Sequence, residues 1–112
     1  MTSKIALSTC LLIAMAFAAC TAKKAAVTTP QLTQADADRA ALWFPGTTMA
    51  SLTEGKDHYE ANCGRCHKLY NPTEFGEDKW RNVVPEMAGK AVIDSETENK
   101  ILVYVVSMSK AQ

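Results

Sequence analysis

Cys63-Gly64-Arg65-Cys66-His67 is the stretch on which the reading of this chain turns: two thiols three residues apart, with an imidazole directly after the second. The residues leading into it, Glu54-Gly55-Lys56-Asp57-His58-Tyr59-Glu60-Ala61-Asn62, read as an amphipathic helix. Leu52, Gly55, Tyr59 and Asn62 recur at three- and four-residue spacing, with Lys56, Asp57 and Glu60 between them. A thioredoxin-like redox pair wants its C-x-x-C just after a buried strand, within a βαβ unit. A structural zinc site needs four ligands, and only His58 is left to complete the set. Adjacent Cys66 and His67 also close poorly on one tetrahedral ion.

C-x-x-C-H is the attachment pattern of c-type haem. On one helical turn, two cysteines three apart reach the two vinyl groups on neighbouring porphyrin edges. The next residue then falls under the iron, and Gly64 leaves the turn uncrowded beside the ring. One covalent haem c on Cys63 and Cys66, with His67 as an axial ligand of the iron, is the expected cofactor. The ligand opposite His67 decides the chemistry, and methionine there raises the potential and saturates the iron for electron transfer. Met49, Met87 and Met108 are the methionines beyond the first twenty residues.

The rest of the chain carries helical signals and no convincing strand. Thr33-x-x-Asp36 opens a short Ala-rich helix running to about Leu42, ended by Trp43-Phe44-Pro45-Gly46 as a large apolar anchor and a turn. Ser51-x-x-Glu54 has the capping-box pattern and leads into the helix before the motif. A third helix starts near Gly76, with Glu77 and Asp78 in its first turn and Trp80, Val83 and Val84 on one side; Pro85 is expected to bend or end it. Ser95-x-x-Glu98 is a second capping-box pattern, opening a helix whose buried face is Ile101, Leu102, Tyr104, Val105 and Met108. The expected fold is all-α, about four helices around one haem, with no internal repeat. A domain this small usually needs a cofactor or a comparable staple.

The 112 residues hold 12 Lys+Arg against 12 Asp+Glu, which gives no electrostatic case for binding nucleic acid. Residues 1–20 begin with Lys4, continue as an apolar run from Ile5 to Ala19 and end at Cys20 behind small residues, the layout of an export signal. The segment resembles a bacterial lipoprotein signal, which implies acylation of Cys20 and a membrane anchor. Phe17 stands where that family prefers Leu, Val or Ile, and ordinary cleavage after Ala16-Phe17-Ala18 would leave Cys20 a free thiol. Residues 21–32 read as a flexible tether and residues 33–112 as the domain.

From about Trp43 to Tyr104 the chain resembles a class I, monohaem cytochrome c. In that family a Gly and an aromatic four apart on the first helix pack against an apolar residue and an aromatic three apart on the last. Gly55 and Tyr59 match the first pair, Ile101 and Tyr104 the second, and Tyr59 keeps the family's spacing of four to Cys63. The resemblance implies that Gly55 lets two helices cross closely. It places the distal ligand at Met87, twenty residues beyond the attachment site, on a loop freed by the break at Pro85. It gives the carbonyl of Pro72 to the Nδ1 proton of His67, and Trp80, Tyr70 and Pro72 to packing around the haem; Trp80 and Arg81 lie within reach of a propionate. Met49 and Met108 stay open as alternatives to Met87, and His58 is expected on the solvent face of its helix.

The function implied is electron transfer by a His/Met-ligated haem on an exported domain at the periplasmic side of a bacterial membrane, not catalysis. Its partners would be redox proteins and, through the lipid anchor, the membrane, with neither nucleic acid nor a small-molecule substrate. The alternatives are a haem-binding sensor or the electron-entry subunit of a larger exported oxidoreductase.

Overall fold

The computed structural model describes residues 29–110; the expected signal, the acylation site Cys20 and tether residues 21–28 lie outside them. Four helices follow one another: α1 (Gln34–Trp43), α2 (Met49–Cys63), α3 (Glu77–Ala91) and α4 (Ser95–Ser107), with a one-turn 3-10 helix, Pro72–Glu74, before α3. Among the described residues there is no strand, only an isolated bridge between Gly76 and Lys110. The all-α expectation holds.

α4 is the central element, in contact with α1, α2 and α3. Ile101, Tyr104, Val105 and Met108 are buried, as the spacing predicts, while Leu102 is half-buried against the core. Val106 and Ser107 are buried as well, because α4 is enclosed on several sides near its carboxyl end. Each large apolar side chain taken out of water here contributes about 1.5–3 kcal/mol.

The crossing of α2 and α4 depends on Gly55. A Cβ there would stand 2.9 Å from the Cβ of Tyr104 and nearer still to the carbonyl oxygen of Lys100, so no larger residue fits without moving a helix. The rings of Tyr59 and Tyr104 meet one turn further along, with centroids 5.8 Å apart. The pairing of Gly55 and Tyr59 with Ile101 and Tyr104 is therefore present as packing.

Local starts and stops differ from the expectations in four places. α2 begins at Met49, not after Ser51: the Thr48 hydroxyl accepts from the Ser51 amide at 3.1 Å and the Ser51 hydroxyl accepts from the Thr48 amide at 2.9 Å. Glu54, freed from any capping duty, instead accepts from Lys100 of α4 at 2.7 Å. α4 is capped by Asp94, whose carboxylate accepts from the Thr97 amide at 2.9 Å; Ser95 is already helical.

Trp43 is 65% exposed, and it is its neighbour Phe44 that packs against the core, under the guanidinium of Arg81. Pro85 does not end α3, which runs on to Ala91. Its ring is exposed while Val84 and Ala88 are buried on the neighbouring stripe, so the lost hydrogen bond falls toward solvent and packing carries the helix through.

Both ends of the described chain are tied down. Thr29 is buried and donates to the Glu60 carboxylate, and Leu32 packs against the core, so packing begins ahead of α1. At the other end the Lys110 amide donates to the Phe75 carbonyl at 3.0 Å. Among the described residues no helix is long and apolar enough to cross a membrane.

Candidate cofactor site

Cys63 is the last residue of α2, and Gly64, at φ −76°, continues the turn that presents Arg65, Cys66 and His67. The space around Gly64 is not open. A Cβ would stand 3.0 Å from the Glu60 carbonyl oxygen and 3.3 Å from Leu69 Cγ, because Leu69 folds back over the turn. Both cysteines are free thiols, Cys63 half-buried and Cys66 exposed. Burial pushes the Cys63 thiol up from its ordinary pKa, and the nearby Arg65 guanidinium opposes this only in part.

His67 is exposed, with Nδ1 2.8 Å from the carbonyl oxygen of its neighbour Lys68. A ring nitrogen facing a carbonyl carries the proton, which leaves the lone pair a metal takes on Nε2. The carbonyl expected to do this work, that of Pro72, is engaged elsewhere: it accepts from Trp80 Nε1 at 2.9 Å. The Lys68 carbonyl is one peptide away, whereas the Pro72 carbonyl lies at the edge of the Trp80 indole.

The segment after the motif is fixed from two sides. Tyr59 on α2 donates its hydroxyl to the Tyr70 carbonyl at 2.7 Å, and Trp80 on α3 holds Pro72. Asn71 and Glu74 cap the 3-10 turn reciprocally. Along this segment the rings form a series: His67 to Tyr70 at 6.0 Å, Tyr70 to Phe75 at 5.2 Å, Phe75 to Trp80 at 5.4 Å, and Trp80 edge-on to Tyr59 at 5.9 Å. Of the three residues expected to pack a cofactor, Pro72 and Trp80 are buried and Tyr70 is 42% exposed. Trp80 has spent its only donor, and Arg81 pairs with Glu77 at 2.6 Å while its guanidinium covers Phe44.

Met87 lies inside α3, not on a loop. It stands seven residues after Trp80 and three after Val84, on the same helical stripe as the buried Trp80, Val84 and Ala88, yet it is half-buried. Met108 is buried at 8% exposure with its sulfur 3.9 Å from Arg39 Nη2, and Met49 packs in the first turn of α2 against the core. His58 is half-exposed on α2, 3.7 Å from Glu54, in keeping with a surface position.

The donor set suits a covalently held haem: two unbridged cysteines three residues apart, one of them open to solvent, followed by an imidazole whose Nδ1 faces a carbonyl. Among the described residues no three of His, Cys, Asp and Glu gather as they would to hold a bare metal ion. The helix before Cys63 is also unlike the strand that a thioredoxin-type pair follows. Two contacts had no clear sequence signal. One is the Tyr59–Tyr70 hydrogen bond, hinted at only by the spacing of Tyr59 from the motif; the other joins Arg65 to the end of α3. No family model, curated protein or solved structure matches this chain.

Proposed function

We propose that this chain is a monohaem c-type cytochrome of the class I kind, an electron carrier in which Cys63 and Cys66 hold the haem and His67 and Met87 ligate its iron. The observation that carries the reading is the committed Nδ1 of His67, directly after two free thiols at the end of a helix. The haem, once attached, supplies an iron that accepts and releases one electron. The chain's own residues do the rest. The Lys68 carbonyl keeps the His67 ring in the tautomer that ligates through Nε2. Tyr59 and Trp80 fix the segment after His67 through the Tyr70 and Pro72 carbonyls.

Met87 is favoured as distal ligand because it lies on the Trp80 stripe without being sealed into the core, whereas Met108 and Met49 are already used in packing. A saturated iron has no vacant position for a substrate, so partners would dock briefly through small contacts. The apolar leader ending in Cys20 supports export and lipid anchoring, which would keep the domain near membrane-bound redox partners at high effective concentration.

The test is the visible spectrum of ferric and dithionite-reduced protein, expressed with the haem-attachment machinery. Reduced c-type bands and a weak far-red sulfur-to-iron band in the ferric form are expected. Met87→Ala should abolish that band, lower the midpoint potential and open the iron to cyanide or carbon monoxide. An unchanged potential rejects Met87, and haem without the far-red band moves the reading to a ligand sensor. Absence of haem returns Cys63 and Cys66 to thiol chemistry. Cys20→Ala should release the protein from the membrane fraction, and persistent membrane association rejects the anchor.

A further inference from the structure

Arg65, the second intervening residue of the C-x-x-C-H motif, does not point idly into solvent. Its Nη2 donates to the carbonyl of Ala91 at 3.2 Å and to Asn62 Oδ1 at 3.3 Å, and its Nε donates to the Asn62 carbonyl at 3.4 Å. Asn62 is itself tied back to the His58 carbonyl at 2.9 Å. The guanidinium therefore spans from the last turn of α2 to the final residue of α3. A helix end leaves its last carbonyls unpaired and carries partial negative charge, so a cation there satisfies an orphan acceptor and meets a favourable field.

The end of α3 needs holding. Val92, the residue after Ala91, has φ 54° and ψ 54°, the left-handed conformation, and is 89% exposed. For a β-branched residue that backbone costs about 1–2 kcal/mol, with no buried contact of its own side chain in return. The turn is closed by the amides of Val92 and Ile93, which both reach the Ala88 carbonyl. The Arg65 bond falls on the peptide group between Ala91 and Val92, where the strain sits. Met87 lies one turn before.

The geometry points to Arg65 as a positioning residue: by clasping the Ala91 carbonyl it sets the separation between the attachment turn, which carries His67, and the part of α3 that carries Met87. The inference rests on the reading of His67 and Met87 as the two axial ligands. Arg65 touches neither ligand; it acts through the helix end. Lysine would replace it only in part, since an ammonium on a flexible stem keeps a bond to one carbonyl without the planar fork that reaches Asn62 and Ala91 together.

The experiment compares haem-loaded full-length protein carrying Arg65→Ala or Arg65→Lys with the parent. In Arg65→Ala the reduced c-type bands should persist, the far-red band should weaken, and cyanide should displace the distal ligand about tenfold faster, the equivalent of one charge-assisted hydrogen bond. Arg65→Lys should fall between the two. An unchanged cyanide rate and far-red band in Arg65→Ala overturn the inference while leaving the cytochrome reading intact. If the parent shows no far-red band, the ligand assignment fails, and with it this role for Arg65. Amide exchange in the haem-loaded chain separates the clasp itself: Val92 and Ile93 should exchange faster in Arg65→Ala, and unchanged exchange overturns it.

Discussion

Trp80 Nε1 donates to the carbonyl oxygen of Pro72 at 2.9 Å, and both residues are buried. The bond joins the first half of α3 to the 3-10 turn, and Tyr59 does the same for the Tyr70 carbonyl from α2. The segment following His67 is thus shaped by side chains of two different helices.

Replacing Trp80 by Phe keeps an aromatic ring but removes the donor, leaving a buried carbonyl without its partner. The expected loss is about 1–3 kcal/mol, or roughly 5–15 °C in the melting temperature of a domain this size. Thermal unfolding followed by circular dichroism measures it, and an unshifted midpoint would remove this bond from the account of stability.

Two glycines on helices should respond with opposite signs. Gly55→Ala forces a methyl group against Tyr104 and the Lys100 carbonyl and should cost about 1–3 kcal/mol. Gly89→Ala, where nothing stands within 4 Å of the new carbon, should stabilise α3 by about 0.5–1 kcal/mol. Urea midpoints of the two variants check both signs at once.

The buried tyrosines make the fold sensitive to alkali. Burial, with the Glu60 carboxylate adding to it, pushes Tyr104 up to about 12, and burial first and Cys63 second raise Tyr59 further. A raised folded-state pKa means the unfolded chain loses its proton first. The contribution is whole below pH 10 and is lost between pH 10 and 12, at about 1.4 kcal/mol per pH unit for each group. Tyr104→Phe should flatten that slope by one proton. At neutral pH the same variant reports what the buried Tyr104 hydroxyl gains from the Thr29 side chain, about 0.5–1.5 kcal/mol for one hydrogen bond. Urea unfolding at stepped alkaline pH gives both readings.

The two motif cysteines should differ in reactivity before any cofactor is attached. Cys66 is exposed, whereas Cys63 is half-buried with its thiolate disfavoured. Iodoacetamide should label Cys66 first in the folded, reduced, haem-free chain, and peptide mass analysis over time resolves the order. Equal rates would mean that Cys63 is more open than its burial indicates.

What the sequence disclosed was whatever depends on spacing. Gly55, Tyr59, Ile101 and Tyr104 were legible as one crossing through the family resemblance, which pairs residues at these spacings, and the close contact of Gly55 with Tyr104 follows it. Choices between adjacent residues were not legible. Thr48 and Ser51 both suit a helix start, and only the hydroxyl-to-amide reciprocity of Thr48 with Ser51 decides. Trp43 and Phe44 differ by one step of rotation at the end of α1, and the core takes the smaller ring. Pro85 looked like a break because local sterics say so, but the burial of Val84 and Ala88 outweighs one missing hydrogen bond. At the candidate site the donors themselves were readable from the motif, while the carbonyl that orients His67 was not. That choice between Lys68 and Pro72 is made by the position of an indole eight residues beyond Pro72.

The bond from the Lys110 amide to the Phe75 carbonyl closes the molecule like a seam. α4 is gripped near its front by Lys100 to Glu54 and, beyond its last turn, by this bond. Fraying from the carboxyl end must break this bond before it reaches the last turn of the central helix. Opening of the chain beyond α4 and loosening of the turn at Phe75 are therefore coupled events.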